Sequence, residues 1–338
     1  MPAERRARVV LLATGGTVST TTGADGRTQP TLSGRGLADL LAEVGVDLLP
    51  RELGRAPSWA LDPVELMAVA LAARDAAREA DVDGVVVSHG TTTLEYSAFL
   101  ADLVLDVPTP VVLTGAMRRA DEPDADGPSN LRDAVTVAAA EAARGRGALV
   151  VFHGRVIAAD RAWKARRTAP DAFVDLGGDL GRVSGDSVEI GSRDRPWRPF
   201  DGRIDSAVRL VKAVPGDDGA LLDAAAATAH GLVVEALPGA GGIAPTMLAV
   251  LRQVADRLPV VVASRAPYGR LPDDPTGGTG EPLRGLGLLS AGRLTAEQAW
   301  LLLMAALGEG LEADALRSRF REVAAVEAAS PDESNQRR

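Results

Sequence analysis

Short runs of apolar residues, each followed by a turn that contains glycine, alternate along this chain with segments of helical spacing. The runs that we interpret as buried strands of the first half are Arg8–Ala13, Val85–Ser88, Val111–Thr114 and Ala148–Phe152. The helical segments between them are Leu37–Val44, Pro63–Glu79 (with Asp62 as its N-cap), Thr93–Val104 and Asn130–Ala143. Continuous apolar strands that alternate with helices predict an α/β fold with a doubly wound parallel sheet. Ligands of such sheets bind beyond the carboxyl ends of the strands.

The same rhythm resumes after a charged stretch rich in proline and arginine, SRDRPWRPFDGRID, which begins at residue 192. We therefore predict an N-terminal catalytic domain over residues 1–191, a linker over 192–207 and a second domain over 208–338. In that second domain the predicted strands are Val208–Val214, Leu232–Ala236 and Pro259–Ser264, and the predicted helices are 221–229, 245–256 and 296–307. We expect the polar tail at 330–338 to be frayed.

Composition excludes several classes of function. The chain has no cysteine, which rules out disulfides, zinc–thiolate sites and a thiol nucleophile. Its formal charge of −9 and the lack of a basic stripe argue against binding of nucleic acid. No apolar run approaches the ~20 residues that a membrane-spanning helix needs. The N-terminal residues show no signal-peptide pattern, so we expect a cytoplasmic location. Three isolated histidines predict no metal site, and we expect no cofactor.

Two motifs follow predicted strands and carry hydroxyl groups. Thr14–Thr17 (TGGT) is either a simple turn or a turn that presents Thr17 as a nucleophile, and it lacks the pattern of a nucleotide-binding loop. Ser88–Thr93 (SHGTTT) places three consecutive threonines at a strand end, although threonine is also common in strands and at helix N-caps. We interpret His89 as a residue held in its turn by hydrogen bonds.

Lysine is rare in this chain. Of 37 basic residues only Lys164 and Lys212 are lysines, and the remainder are arginine. A lysine can be neutral near pH 7 whereas an arginine cannot, so a lysine that persists in an arginine-rich chain is a candidate for proton transfer. The residues around Lys164 (DRAWKARR) are equally compatible with an ordinary solvated side chain. No motif surrounds Lys212.

Taken together, TGGT, HGT-T, TGAMR at 114–118 and DGPSNL at 126–131 resemble, in this order, the bacterial-type L-asparaginases, which are threonine amidohydrolases. Lys164 with Phe173 nine positions later resembles that family's lysine segment. The C-terminal segments GAGG, VVVASR and SAGRLTAEQA resemble its second domain. The resemblance implies a larger N-terminal parallel-sheet domain and a smaller, flavodoxin-like α/β domain.

The resemblance also implies roles for residues. Thr17 would be the primary nucleophile, and Thr91 would work with Lys164. The residues implied to bind the substrate are Gly16, Ser58, Trp59, Gly90, Thr92, Ala116 and Glu281. Among these, Ser58 would hold the substrate carboxylate, the Ala116 carbonyl would receive the leaving amide, and Glu281 would lie near the site of a neighbouring subunit. A homo-oligomer, a tetramer or a dimer, is implied as well.

Several positions depart from the family pattern. The motif HGTDT is HGTTT here, so Thr92 stands where an aspartate would bind the substrate's ammonium group and tune the lysine. The tyrosine of the flexible loop is missing near Pro30, and the partner's asparagine is missing within Gly242–Ala244. Three hypotheses remain. The chain hydrolyses asparagine to aspartate and ammonia through a threonine acyl-enzyme, or it acts on a different amide, either one without a free α-ammonium group or a larger one stacked on Trp59. In the third hypothesis it only binds a small ligand. Retention of Thr17, Thr91 and Lys164 favours catalysis.

Overall fold

The computed structural model describes residues 5–23, 25–273, 276 and 283–324, and these fall into two units. The first unit ends at Arg195 and the second begins at Pro196. The predicted linker of residues 192–207 is therefore divided between them. Its first residues belong to the first unit, where Arg193 is buried between the carboxylates of Asp102 and Asp160. None of the helices in the described ranges is both long and apolar enough to cross a membrane.

In the described part of the first unit, eight strands form one mixed sheet in the order β12-β11-β8-β7-β6-β5-β1-β4. The strands of this unit are β1 (Arg8–Ala13), β2 (Thr20–Thr22), β3 (Thr28–Pro30), β4 (Asp47–Glu52), β5 (Gly84–Ser88), β6 (Val111–Thr114), β7 (Ala148–Phe152), β8 (Arg155–Ala158), β9 (Ala162–Lys164), β10 (Phe173–Asp175), β11 (Gly181–Ser184) and β12 (Ser187–Ile190). Strands β4, β1, β5, β6 and β7 are parallel, and β8, β11 and β12 continue the sheet in antiparallel fashion. Two antiparallel ribbons, β2–β3 and β9–β10, lie outside this sheet.

Helices cover both faces of the parallel strands. They are α1 (Gly34–Asp39), α2 (Pro63–Ala77), α3 (Leu94–Val104) and α4 (Gly127–Ala139), and short 3₁₀ helices span Thr17–Ser19, Ser58–Ala60 and Glu141–Ala143. One face packs against α1 and α4 through residues such as Leu11, Val86 and Leu131. Residues that alternate with these along the strands, such as Leu12 and Val87, face the other side of the sheet and are just as buried. On that side α2 and α3 contact the sheet. Burial of both faces explains the continuous apolar runs.

The second unit contains a parallel sheet in the order β13-β14-β15-β16 within its described residues. Its elements are β13 (Val208–Lys212), α5 (Ala220–Ala226), β14 (Gly231–Ala236), α6 (Pro245–Ala255), β15 (Val260–Ser264), β16 (Leu289–Ser290), α7 (Ala296–Gly308) and α8 (Ala313–Ala324), with a 3₁₀ helix at Leu283–Leu286. The prediction of two α/β domains with parallel sheets is confirmed. The tail at 330–338 lies outside the described residues, and its fraying stays a prediction.

The strand predictions of the parallel core are confirmed to within one or two residues. Asp62 caps α2 as expected, because its side chain accepts from Glu65 N at 2.9 Å and the Glu65 carboxylate accepts from Asp62 N at 2.8 Å. The helix predicted over Leu37–Val44 is wrong in its bounds, since Ser33 caps α1 through Gly36 N and the helix ends at Asp39. The helix predicted from Asn130 begins three residues earlier, because Pro128 fits the first turn of a helix.

Candidate active site

Three loops of the predicted site lie side by side at one edge of the large sheet. Strands β1, β5 and β6 are adjacent and parallel, so the segments that follow them begin at the same edge. The main-chain N–H and Oγ1 of Thr14 both donate to the Ser88 carbonyl, at 3.2 and 3.0 Å. The His89 N–H donates to the Thr114 carbonyl at 2.8 Å. The motifs TGGT, HGTTT and TGAMR are therefore joined by main-chain hydrogen bonds.

Glycines allow these loops to approach one another closely. Gly16 has a φ of 88°, which disfavours other residues, and a Cβ on it would lie 2.7 Å from both Cα and N of Gly90. A Cβ on Gly90 would in turn lie 2.5 Å from the Ser58 Oγ. The predicted substrate-binding residues Gly16, Gly90 and Ser58 are thus in contact. Thr17 follows Gly16 directly, as the first residue of a 3₁₀ helix, and is partly exposed.

Lys164 reaches the threonine that follows Gly90. Its Nζ donates to the Thr91 Oγ1 at 2.8 Å, and the Thr91 side chain is buried. Lys164 itself is half-buried at the end of β9. Burial lowers the pKa of the Lys164 amine from its ordinary value, while the carboxylate of Glu95 acts in the opposite direction. The pair therefore has the geometry of a hydroxyl and a nearby amine that can exchange a proton.

Ser58, Trp59 and Thr92 occupy the rim of this edge. Ser58 is buried, and its carbonyl accepts a hydrogen bond from the Thr93 Oγ1 at 2.9 Å. Trp59 follows on the same 3₁₀ helix and leaves 72% of its surface exposed. Thr92 is exposed between Thr91, which is buried, and Thr93, which is partly buried. The structure therefore brings Ser58 into contact with the loops and leaves Trp59 and Thr92 open to solvent within this unit.

The TGAMR loop is held by two side chains to which the sequence pattern alone assigns no role. The Asp126 carboxylate accepts from Met117 N and Arg118 N at 2.9–3.0 Å. The Asn130 amide nitrogen donates to the Gly115 carbonyl at 3.0 Å. Ala116, between them, is fully buried. The motif DGPSNL contains both residues, so its closeness to TGAMR in the sequence was the signal that could have revealed this support.

His89 is buried, and its side chain makes hydrogen bonds at the turn that follows β5. Its side chain is fully buried, Nδ1 contacts the Gly90 carbonyl at 2.9 Å, and Nε2 contacts the Ser97 hydroxyl at 3.0 Å. Burial lowers the pKa of His89, although the hydrogen bond to Gly90 opposes this effect. The interpretation of His89 as a residue fixed by hydrogen bonds is confirmed.

The remaining expectations fall elsewhere. Glu281 lies outside the described residues, so its predicted position near a neighbour's site stays a prediction. Pro30, near which the resemblance places the missing tyrosine, ends β3 of the ribbon that follows the TGGT loop. Across the part of the chain that the structure describes, no group of three or more histidine, aspartate or glutamate side chains is arranged to hold a metal ion.

Comparison with known proteins links both units to one group of enzymes. The family model described as "Asparaginase, N-terminal" matches residues 8–195, and the model "Glutaminase/Asparaginase C-terminal domain" matches residues 207–320. A probable L-asparaginase of Deinococcus radiodurans is 35% identical to this chain, with 93% of this chain and 97% of that protein covered.

Two solved structures are similar over almost their whole length. The thermostable L-asparaginase from Thermococcus kodakarensis matches with a TM-score of 0.82 and 30% identity, covering 94% of this chain and 98% of that one. A probable cytoplasmic L-asparaginase from Campylobacter jejuni matches with a TM-score of 0.80 and 26% identity, covering 93% of this chain and 99% of that one. Sequence and structure therefore point to the same group of enzymes.

Proposed function

Because this chain belongs to the asparaginase family, we propose that it is an amidohydrolase that converts asparagine to aspartate and ammonia. The observation that carries the proposal is the 2.8 Å contact between the Lys164 amine and the Thr91 hydroxyl. It supports catalysis because a hydroxyl becomes an effective nucleophile or proton relay only when a base can take its proton. The close approach of Gly16 to Gly90 adds support, because Thr17 directly follows Gly16 and Thr91 directly follows Gly90.

In the proposed mechanism, Thr17 attacks the carbonyl carbon of the substrate amide. The proton of the Thr17 hydroxyl passes through Thr91 to the neutral amine of Lys164. The carbonyl oxygen becomes an oxyanion, which main-chain N–H groups of the strand-end turns stabilise. When the carbon–nitrogen bond breaks, the amide nitrogen takes the proton back and leaves as ammonia. Water then attacks the Thr17 ester, releases aspartate and returns the proton to Thr17.

A panel of amides tests this proposal. Ammonia release is measured with asparagine, glutamine, N-acetylasparagine and peptides that contain asparagine, for the wild-type protein and for Thr17→Ala. The proposal expects release from asparagine and its loss in Thr17→Ala, with substrate binding by calorimetry retained. Release of ammonia from none of these amides, with ligand binding unchanged in Thr17→Ala, would favour a ligand-binding protein instead.

A second candidate function is favoured by the rim of the site. Position 92 is an exposed threonine, so no carboxylate stands there to receive an α-ammonium group. Trp59 is largely exposed as well. A lost charge-assisted hydrogen bond costs about 1.5–3 kcal/mol, or roughly 10- to 100-fold in binding. The alternative is therefore hydrolysis of an amide that lacks a free α-ammonium group or stacks on Trp59.

Thr92→Asp separates these two candidates. If asparagine is the substrate, the restored carboxylate raises kcat/KM for asparagine by about tenfold or more. If the natural substrate lacks the ammonium group, the same change lowers kcat/KM for N-acetylasparagine. An unchanged kcat/KM for asparagine contradicts the idea that Thr92 weakens its recognition.

We further propose a homo-oligomer, a tetramer or dimer, in which Glu281 lies near a neighbour's site, and a cytoplasmic location. Family membership supports the assembly. Multi-angle light scattering measures the oligomer directly. Mixing the Glu281→Ala and Thr17→Ala variants tests sharing of sites, because a shared site restores part of the activity in mixed oligomers. An active monomer would contradict the assembly.

A further inference from the structure

Glu95 contacts the strand that carries Lys164. It lies in the first turn of α3, four residues after Thr91, and its carboxylate accepts a hydrogen bond from the main-chain N–H of Lys164. The loop that ends in Thr91 and the strand that ends in Lys164 are thus connected twice. One connection is the side-chain contact between Nζ and Oγ1, and the other is the Glu95 carboxylate on the main chain.

The main-chain connection matters because Lys164 lies on a short ribbon. Strands β9 and β10 comprise three residues each, and they pair with each other outside the large sheet. In this ribbon Lys164 stands opposite Phe173, while the next N–H, that of Ala165, donates to the Ala172 carbonyl at 2.8 Å. The Lys164 N–H instead points to α3. Glu95 therefore fixes the end of the ribbon to α3, the helix that begins just after the HGTTT segment.

The charges around Lys164 single out the same residue. Arg161, which immediately precedes β9, is paired with Asp175 of β10 at 3.3 Å. In the segment that follows, Arg166 is paired with Asp171. From α3, the Glu95 carboxylate acts on the amine and opposes the effect of burial. Position 92, beside Thr91, is a threonine and carries no charge. The carboxylate that acts on this lysine is instead that of Glu95, in the first turn of α3.

On the premise of the proposed function, we infer that Glu95 is a positioning residue for the Lys164 amine. It fixes the main chain of Lys164 so that Nζ reaches Thr91, and it supplies the negative charge that position 92 lacks. The charge stabilises the ammonium that forms when Lys164 takes the proton. A buried amine without it would be neutral but a weaker base, and general-base catalysis depends on that basicity.

Two substitutions separate the two parts of this role. Glu95→Gln keeps an oxygen that can accept from Lys164 N and removes the charge, whereas Glu95→Ala removes both. Glu141→Gln is the matched control, because that carboxylate lies on a 3₁₀ helix of the same unit with 92% of its side chain exposed. All variants are assayed for kcat and KM across pH, and their folding is checked by thermal unfolding.

We expect the acidic limb of the kcat profile to move to lower pH by about one unit in Glu95→Gln, since an opposite charge within reach shifts a pKa by roughly that amount. At the pH plateau kcat falls while KM changes less than twofold. Glu95→Ala shows the same shift with a further fall in kcat. A limb that stays at the wild-type pH in Glu95→Gln, with Glu141→Gln also unchanged, overturns the inference and leaves the proposed function intact.

A direct titration keeps the inference testable if the protein releases no ammonia. The chain has two lysines, so protein labelled with ¹³C at lysine Cε gives two side-chain signals, and Lys212→Arg assigns them. The midpoint of the Lys164 signal moves to lower pH in Glu95→Gln if Glu95 supplies its charge. Coincident midpoints in wild type and variant overturn the inference, whatever the activity.

Discussion

Replacing Lys164 with arginine tests the central step of the proposed mechanism. Arginine keeps a positive charge and hydrogen-bond donors, so it can still donate to the Thr91 hydroxyl. It cannot act as a base, because a guanidinium keeps its proton at every pH at which proteins are folded. The substitution therefore removes one property, the ability to accept a proton, from a side chain that touches Thr91 at 2.8 Å.

The expected magnitude follows from this difference. A positioned general base contributes about 10²–10⁴-fold to rate, which corresponds to roughly 3–5 kcal/mol of activation free energy. The lysine is half-buried, and burial lowers its pKa, a direction that favours the neutral amine that a base requires. We expect kcat for Lys164→Arg to fall by about 10³-fold or more, with KM changed much less.

Lys212 supplies a matched control. It lies on β13 of the second unit and forms an ion pair with Glu235 at 3.1 Å on the neighbouring strand, an interaction that arginine can also make. Ammonia release and thermal unfolding are measured for wild type, Lys164→Arg, Lys164→Met and Lys212→Arg. Lys212→Arg should match wild type in both. A Lys164→Arg variant that retains more than a tenth of wild-type kcat refutes the role of Lys164 as a base.

Two further predictions concern stability. Gly16→Ala should destabilise the protein by about 2–5 kcal/mol, because the backbone has a positive φ and the new Cβ clashes with Gly90. Gly145→Ala, at a φ of 73° in open space, should cost only about 1–2 kcal/mol. Equal losses of unfolding free energy in urea would contradict this prediction. Burial raises the pKa of Asp175 to about 6, so its stabilising contribution is complete below pH 4 and lost as pH rises through 6. That loss is about 3 kcal/mol, and Asp175→Asn should remove this slope from the pH dependence of the unfolding free energy. Parallel slopes in variant and wild type would argue against it.

The parallel core was predictable because its physics is local. A strand buried on both faces needs an unbroken apolar run, and the runs at Val85–Ser88 and Ala148–Phe152 are too short for a typical helix and rich in valine, which favours a strand. The edge strand Asp47–Glu52 escaped prediction because it is half solvated and contains a proline and charged residues, which are tolerated only at an edge. The strands β8 to β12 are three to four residues long, too short to show a period.

The candidate site was predictable in part. The strand ends place TGGT, HGTTT and TGAMR together on topology alone, because neighbouring parallel strands finish at one edge. The pairing of Lys164 with Thr91 spans 73 residues and depends on a three-residue ribbon, so residue patterns could not reveal it and the family resemblance had to supply it. Glu95 was missed for another reason. An acidic residue in the first turn of a helix is common for helix stability alone.

The residues proposed for proton transfer and those proposed for substrate recognition differ in burial, and this difference bears on which substrate the site can accept. The groups proposed to move protons are enclosed: Thr91 is buried, Lys164 is half-buried, and Glu95 ties the two segments together. The groups proposed to recognise the rest of the substrate, Thr92 and Trp59, are exposed, so changing them leaves the packing of the sheet edge intact. A departure at position 92 can therefore alter which amide binds while the Thr91–Lys164 pair still accepts a proton. The substitution Thr92→Asp should accordingly change kcat/KM between substrates and leave the acidic limb of the pH profile within about half a unit of wild type, because the side chain at position 92 is exposed and water screens a charge placed there. A shift of that limb to higher pH by a full unit would show instead that position 92, rather than Glu95, governs the lysine.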